Sequence, residues 1–187
     1  DAFLLLYERF KPEYVKVAAE LAGSEVGLEA EMWLLRWGTR AAGADRKATV
    51  ATLKRLIEAY GEHEKLADLA GMVPSAPEPE RYEIFATLIE TSPHTSVDVA
   101  AKIWLGRSYL RSRDEAARGK ATAVFEDLLE NHADVMFGSC NAGAIADAHL
   151  NPHPATTLAE GQPAPDILGV DENGEPMTLS KFRGKVV

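Results

Sequence analysis

Between Asp114 and Leu129, the residues Ala121, Val124, Phe125, Leu128 and Leu129 stand at the i, i+3, i+4, i+7, i+8 spacing of one helix face. Asp114 is suited to the N-cap of that helix. The same period returns behind Asp45, with Val50, Leu53, Leu56, Ile57 and Tyr60, and Gly61 stands where a left-handed C-terminal residue is expected. Ser96 is expected to open a helix carrying Val99, Ile103, Tyr109 and Leu110, while Ser92-Pro93 closes an earlier one carrying Tyr82, Phe85, Leu88 and Ile89. The segment Met72–Pro79 holds three prolines and is predicted to be a rigid connector. A chain so patterned folds mainly as α-helices up to about residue 157.

A weak internal repeat runs through this region. Trp33-Leu34 aligns with Trp104-Leu105 at a spacing of 71, and Leu53, Leu56 and Ile57 align with Phe125, Leu128 and Leu129 at 72. Leu105-Gly106-x-x-Tyr109 and Ala121-x-x-x-Phe125 look like pieces of the tetratricopeptide pattern, though they lie further apart than in that repeat. A helical hairpin buries its apolar face only by stacking on a neighbour. Residues 28 to 132 offer about three such hairpins, so a tetratricopeptide-like α-solenoid stack is expected.

After residue 157 the composition changes. Pro163 and Pro165 push Gln162 and Ala164 toward extended geometry, and Asn173-Gly174 is a strong hairpin signal between Ile167–Val170 and Met177–Leu179. Ser180 can cap a short helical turn through Phe182. Gly184 can end that turn in a left-handed conformation before Val186 and Val187 begin another strand.

The run Gly161-Gln-Pro-Ala-Pro-Asp166, the turn at Gly174, and Leu179-Ser-Lys-Phe-Arg-Gly-Lys-Val-Val187 together resemble the opening of thioredoxin-like redoxins. Both TlpA-like thiol-disulfide oxidoreductases and peroxiredoxins begin this way, and bacterial TlpA-like proteins can carry a helical extension before the redoxin domain. Gly161, Pro163, Ala164, Pro165, Asp166, Gly174, Leu179, Ser180, Gly184 and Lys185 match the family motif, as scaffold positions and not catalytic ones. Ile167 and Leu168 stand where the family commonly places an aromatic residue. The resemblance implies two domains, a helical one over 1–157 and the N-terminal fragment of a thioredoxin-like domain over 158–187. It implies further that the reactive cysteine follows the strand begun by Val186, that the protein is extracytoplasmic, and that residues 1–187 alone are inactive.

Charge narrows the partners. The formal net charge is −9, which argues against a nucleic-acid backbone or an anionic membrane as partner. Phe3–Tyr7 is far shorter than the roughly 20 apolar residues that span a bilayer. With 46% hydrophobic residues the chain can build a globular core. The partners expected are a substrate or partner protein held by the helical stack, or a second copy of the chain.

Side chains capable of chemistry are sparse. Cys140 is the sole cysteine, and its simplest role is a small buried apolar residue at the start of a helix over Ala142–Leu150, against a redox thiol as the alternative. Cys140, Asp147, His149 and His153 lack the paired spacing of a zinc module, and Pro152 and Pro154 interrupt any helix presenting both histidines, so these are expected to be surface or turn histidines. His63, His94 and His132 are expected at helix ends. Trp33 and Trp37 share a helix face and are expected, with Trp104, in the core or in inter-helix packing, against a ligand groove as the alternative. Arg107 to Arg118 mixes charges as a solvated link between helices would. No catalytic set and no cofactor motif stands out.

Overall fold

A computed structural model describes residues 2–40, 45–152, 168–170, 176–182 and 184. The chain divides into two compact units, Asp1–Leu150 and Asn151–Val187. The protein is mainly helical, with eight α-helices among the described residues: α1 (Ala2–Glu20), α2 (Glu25–Gly38), α3 (Arg46–Tyr60), α4 (Leu66–Ala70), α5 (Glu80–Thr91), α6 (Thr95–Leu110), α7 (Glu115–Asn131) and α8 (Ala142–Leu150).

Local chemistry sets the helix starts. The Ser24, Asp45 and Asp114 side chains each accept a backbone N–H of the first turn they cap, from Gly27, Lys47 and Ala116 respectively. α6 begins at Thr95 behind His94, and the Ser96 hydroxyl donates instead to Glu64 Oε1 at 3.1 Å. α5 ends before Ser92-Pro93 as the proline requires. Gly61 departs from expectation, having right-handed backbone angles of φ −50 and ψ −30. The chain keeps turning in the same sense there, and the His63 N–H bonds the Tyr60 carbonyl at 2.8 Å. Left-handed glycine geometry occurs at Gly23, with φ 82, between α1 and α2.

α1 and α2 form one antiparallel hairpin, and α6 packs against α4, α5 and α7. Val97, Ala100 and Ala101 of α6 face a cluster built on Leu28, Leu53, Leu56, Leu69, Phe85 and Leu88. Val99 and Ile103 face a second one made with Ala121, Phe125 and Leu128 of α7 and Ala142 and Ala146 of α8. A helix apolar on nearly all sides belongs in such a central place. Each fully buried Leu, Ile or Phe contributes about 1.5–3 kcal/mol relative to exposure. Leu110 and Leu129, placed by periodicity on packed faces, are 44% and 40% exposed, because no element among the described residues of this unit covers the edge on which they lie.

The proline-rich connector joins the core. Val73 opens a short 3-10 turn, Val73–Ser75, and both Val73 and Ala76 are fully buried. The link between α6 and α7 is likewise anchored: buried Ser112 donates from its hydroxyl to Glu78, and Arg118 donates to the Ser112 carbonyl. A two-residue hairpin of β1 (Met136–Phe137) and β2 (Cys140–Asn141), turning at Gly138 with φ 64, leads into α8.

In the second unit, β3 (Leu168–Val170) pairs antiparallel with β4 (Pro176–Thr178), with Leu168 opposite Thr178 and Val170 opposite Pro176. A 3-10 turn over Leu179–Phe182 follows, and Gly184 has φ 81. The two strands, the helical turn and the left-handed glycine were anticipated from local residue chemistry, but Leu179 and Ser180 lie inside the turn, not in the strand and at the cap as expected, and the strand expected at Val186 lies outside the described residues. The connecting turn at Asn173-Gly174 lies outside the described residues.

Candidate functional site

Of the ten family-motif positions, Leu179, Ser180 and Gly184 are described. Leu179 and Ser180 lie in the 3-10 turn, where the Ser180 hydroxyl donates to Thr178 Oγ1 at 3.3 Å. Gly161, Pro163, Ala164, Pro165, Asp166, Gly174 and Lys185 lie outside the described residues, as do His153, Val186 and Val187.

Cys140 corrects the sequence expectation. It is exposed on β2, its Sγ 3.9 Å from Ser139 Oγ, because the two-residue hairpin turns it to solvent while Ala142 and Gly143 make the buried contacts. α8 does begin at Ala142. Among the described residues no group of three or more His, Cys, Asp or Glu could hold a metal ion.

His149 is half-buried at the end of α8, its ring stacked on Phe125 with centroids 4.4 Å apart. Burial, and then the positive charge of Arg107, push its pKa below the ordinary imidazole value. His94 Nε2 meets the Glu62 carbonyl at 2.9 Å, and His132 is the C-cap of α7, as expected of helix-end histidines.

No tryptophan is fully buried, but Trp104 packs against the core and Trp33 between two helices, as expected. Trp33 stacks on Tyr14 at 3.9 Å and on Tyr7 at 5.6 Å, between α1 and α2. With Trp37, Leu6, Phe10 and Tyr14 it lines a shallow apolar cleft. α1 has no helix on its outer side among the described residues, which is why Leu5 and Leu6 remain 74% and 50% exposed.

Trp104 lines a different and larger concavity of about 610 Å³. Its walls are Arg36, Thr39 and Arg40 at the end of α2, Ala67 and Asp68 of α4, the following Gly71, Met72 and Ser75, and Phe137 of β1. Arg107 lies over the Trp104 ring at 5.3 Å, and Arg40 over the Trp37 ring at 4.8 Å. Sequence inspection passed over Arg36 and Arg40. The available signal was their i, i+4 spacing interleaved with Trp33 and Trp37, which puts the two guanidinium groups on one face.

This concavity brings together two exposed guanidinium groups, an aromatic wall, and one carboxylate in Asp68. Comparisons with protein-family models, with curated proteins and with solved structures find no match. No helix among the described residues is long and apolar enough to cross a membrane.

Proposed function

We propose that this chain is the N-terminal part of a bacterial, extracytoplasmic thioredoxin-like thiol-disulfide oxidoreductase, whose helical unit is a tetratricopeptide-like protein-interaction module. The observation that carries the redox assignment is the order of elements in the second unit. The β3–β4 hairpin, the Leu179–Phe182 turn and left-handed Gly184 follow one another as the redoxin-like motif demands. In such an enzyme a low-pKa thiolate at a helix N-terminus attacks a disulfide, and a second cysteine resolves the mixed disulfide. Cys140 has no second cysteine to resolve it, so residues 1–187 are expected to lack the activity.

The test is the coding sequence beyond Val187. A Trp-Cys-x-x-Cys directly after the apolar strand supports the dithiol mechanism. A lone cysteine in a Thr-x-x-Cys context moves the assignment to peroxide reduction, and no cysteine overturns it. Purified 1–187 protein should reduce insulin disulfides no faster than its Cys140→Ser variant.

A second reading is favoured by the groove beside Trp104. In it the helical unit works on its own as an interaction module, and the redoxin-like segment is an appendage.

A further inference from the structure

The groove beside Trp104 is assembled from four separate parts of the helical unit: the end of α2, α4 with Gly71, Met72 and Ser75, the middle of α6, and β1. It contains two kinds of surface. Met72, Trp104 and Phe137 are half-buried and give it an apolar, aromatic wall. Arg36 and Arg40, also in its lining, are exposed.

Charge decides the ligand class. Among the described residues the arginines in ion pairs with carboxylates are Arg55 and Arg81, paired with Glu31 and Glu78. Arg36, Arg40 and Arg107 are in none of these ion pairs, in a chain of net charge −9. Stacking on Trp37 limits the freedom of the Arg40 guanidinium. A guanidinium presents a rigid fork of donors that matches a carboxylate. Asp68 also lines the groove and can accept N–H groups. Gly71 leaves room beside the indole, since a Cβ added there would stand 3.4 Å from Trp104 Nε1.

We propose that this groove binds a segment of a partner protein that carries both acidic and apolar side chains. Its carboxylates pair with Arg36 and Arg40 and its apolar side chains pack on Met72, Trp104 and Phe137. The volume of about 610 Å³ lies within the range of ligand pockets. The proposal rests on the helical unit being an interaction module, and not on the redox assignment.

The experiment selects a phage-displayed library of random peptides on the immobilised chain and measures the selected peptides by fluorescence anisotropy. Enrichment of Asp and Glu together with apolar residues is expected, with affinity that falls as salt rises. The R36E/R40E double variant should raise Kd by about ten-fold or more, since each arginine–carboxylate bond is charge-assisted. Gly71→Leu, which fills the groove without changing charge, should also weaken binding, whereas R9E on α1 should not. Thermal melts establish that each variant is folded, and R36Q/R40Q replaces the charge reversal if that variant does not fold. Peptides without acidic enrichment, or peptides that bind the arginine variants and the parent equally, would overturn the groove assignment yet leave an interaction module standing. Selection of no peptide at all would overturn both.

Discussion

Lys102 Nζ lies 2.6 Å from Asp127 Oδ2 and so ties the central helix α6 to α7. The same ammonium is 3.0 Å from Asp98 Oδ2, which His132 Nε2 also approaches at 3.0 Å. Asn131 donates to the other Asp127 oxygen at 2.8 Å. Burial alone would raise the Asp127 pKa, but hydrogen bonds from Lys102 and Asn131 outweigh it and hold the carboxyl below its usual value. Burial would likewise lower the Lys102 pKa, and its bonds to Asp127 and Asp98 reverse the sign. The charged forms of Lys102 and Asp127 are favoured by their own geometry.

Replacing Lys102 with Met leaves two carboxylates together without their ammonium. The expected cost is about 2 kcal/mol at neutral pH, between that of an exposed pair and a buried one. The Asp127 share is present above the ordinary carboxylate pKa of about 3.9 and is lost as pH falls through the depressed value. The Lys102 share is present below about 10.4 and is lost as pH rises through the raised value. Urea unfolding of both proteins should therefore show the K102M deficit shrinking at strongly acid and strongly alkaline pH. A deficit constant with pH would refute this account.

Gly106 of α6 faces Phe125 so closely that a Cβ would stand 2.6 Å from the ring Cζ. Overpacking of this kind costs about 1–3 kcal/mol, against roughly 1 kcal/mol gained by replacing a helical glycine with alanine. Gly106→Ala should therefore destabilise. Phe125→Leu should be less harmful in the Gly106→Ala background than in the parent, which a double-mutant cycle by chemical denaturation measures. Purely additive effects would mean that the two side chains do not compete for space.

The exposed Cys140 thiol should react with a disulfide reagent such as DTNB in the native protein, one equivalent per chain, at a rate within about ten-fold of the unfolded chain. Cys140→Ser should change stability by less than about 0.5 kcal/mol. Reaction only after addition of denaturant would restore the buried role.

His149 should make stability fall on mild acidification. Its imidazole pKa is lowered by burial and then by the charge of Arg107, so the neutral form suits the folded state. Its contribution holds above the ordinary histidine value of about 6.5 and is lost as pH falls through the lowered one. His149→Phe keeps an aromatic ring on Phe125 and removes the titration. Between pH 7 and 5.5 the parent should lose more thermal stability than the variant, and parallel slopes would exclude His149 as the cause.

Much of the helical order was legible because its signals are short-range. An aspartate at 45 or 114 caps the turn that follows it, Pro93 forbids continuation of α5, and Gly184 takes the positive φ that its neighbours would resist. The β3–β4 register follows from residues fewer than fifteen apart. Periodicity marks which residues share a face. It does not say whether anything covers that face.

Coverage is where the tertiary structure alone decided. Leu129 and Phe125 belong to one apolar pattern, yet α6 and α8 enclose Phe125 and leave Leu129 at an open edge. Trp33 and Trp104 occupy matching places in the weak repeat, but Trp33 stacks on the tyrosines of α1 while Trp104 walls a groove with arginines from α2. Cys140, typed by composition as a buried residue, is turned outward by a two-residue hairpin. Burial and site formation depend on which distant segments meet, and the free energy of that meeting is summed over the whole core. Caps such as Asp45 and Asp114 and the stop at Pro93 depend on a few neighbouring residues, and those the sequence determined by itself.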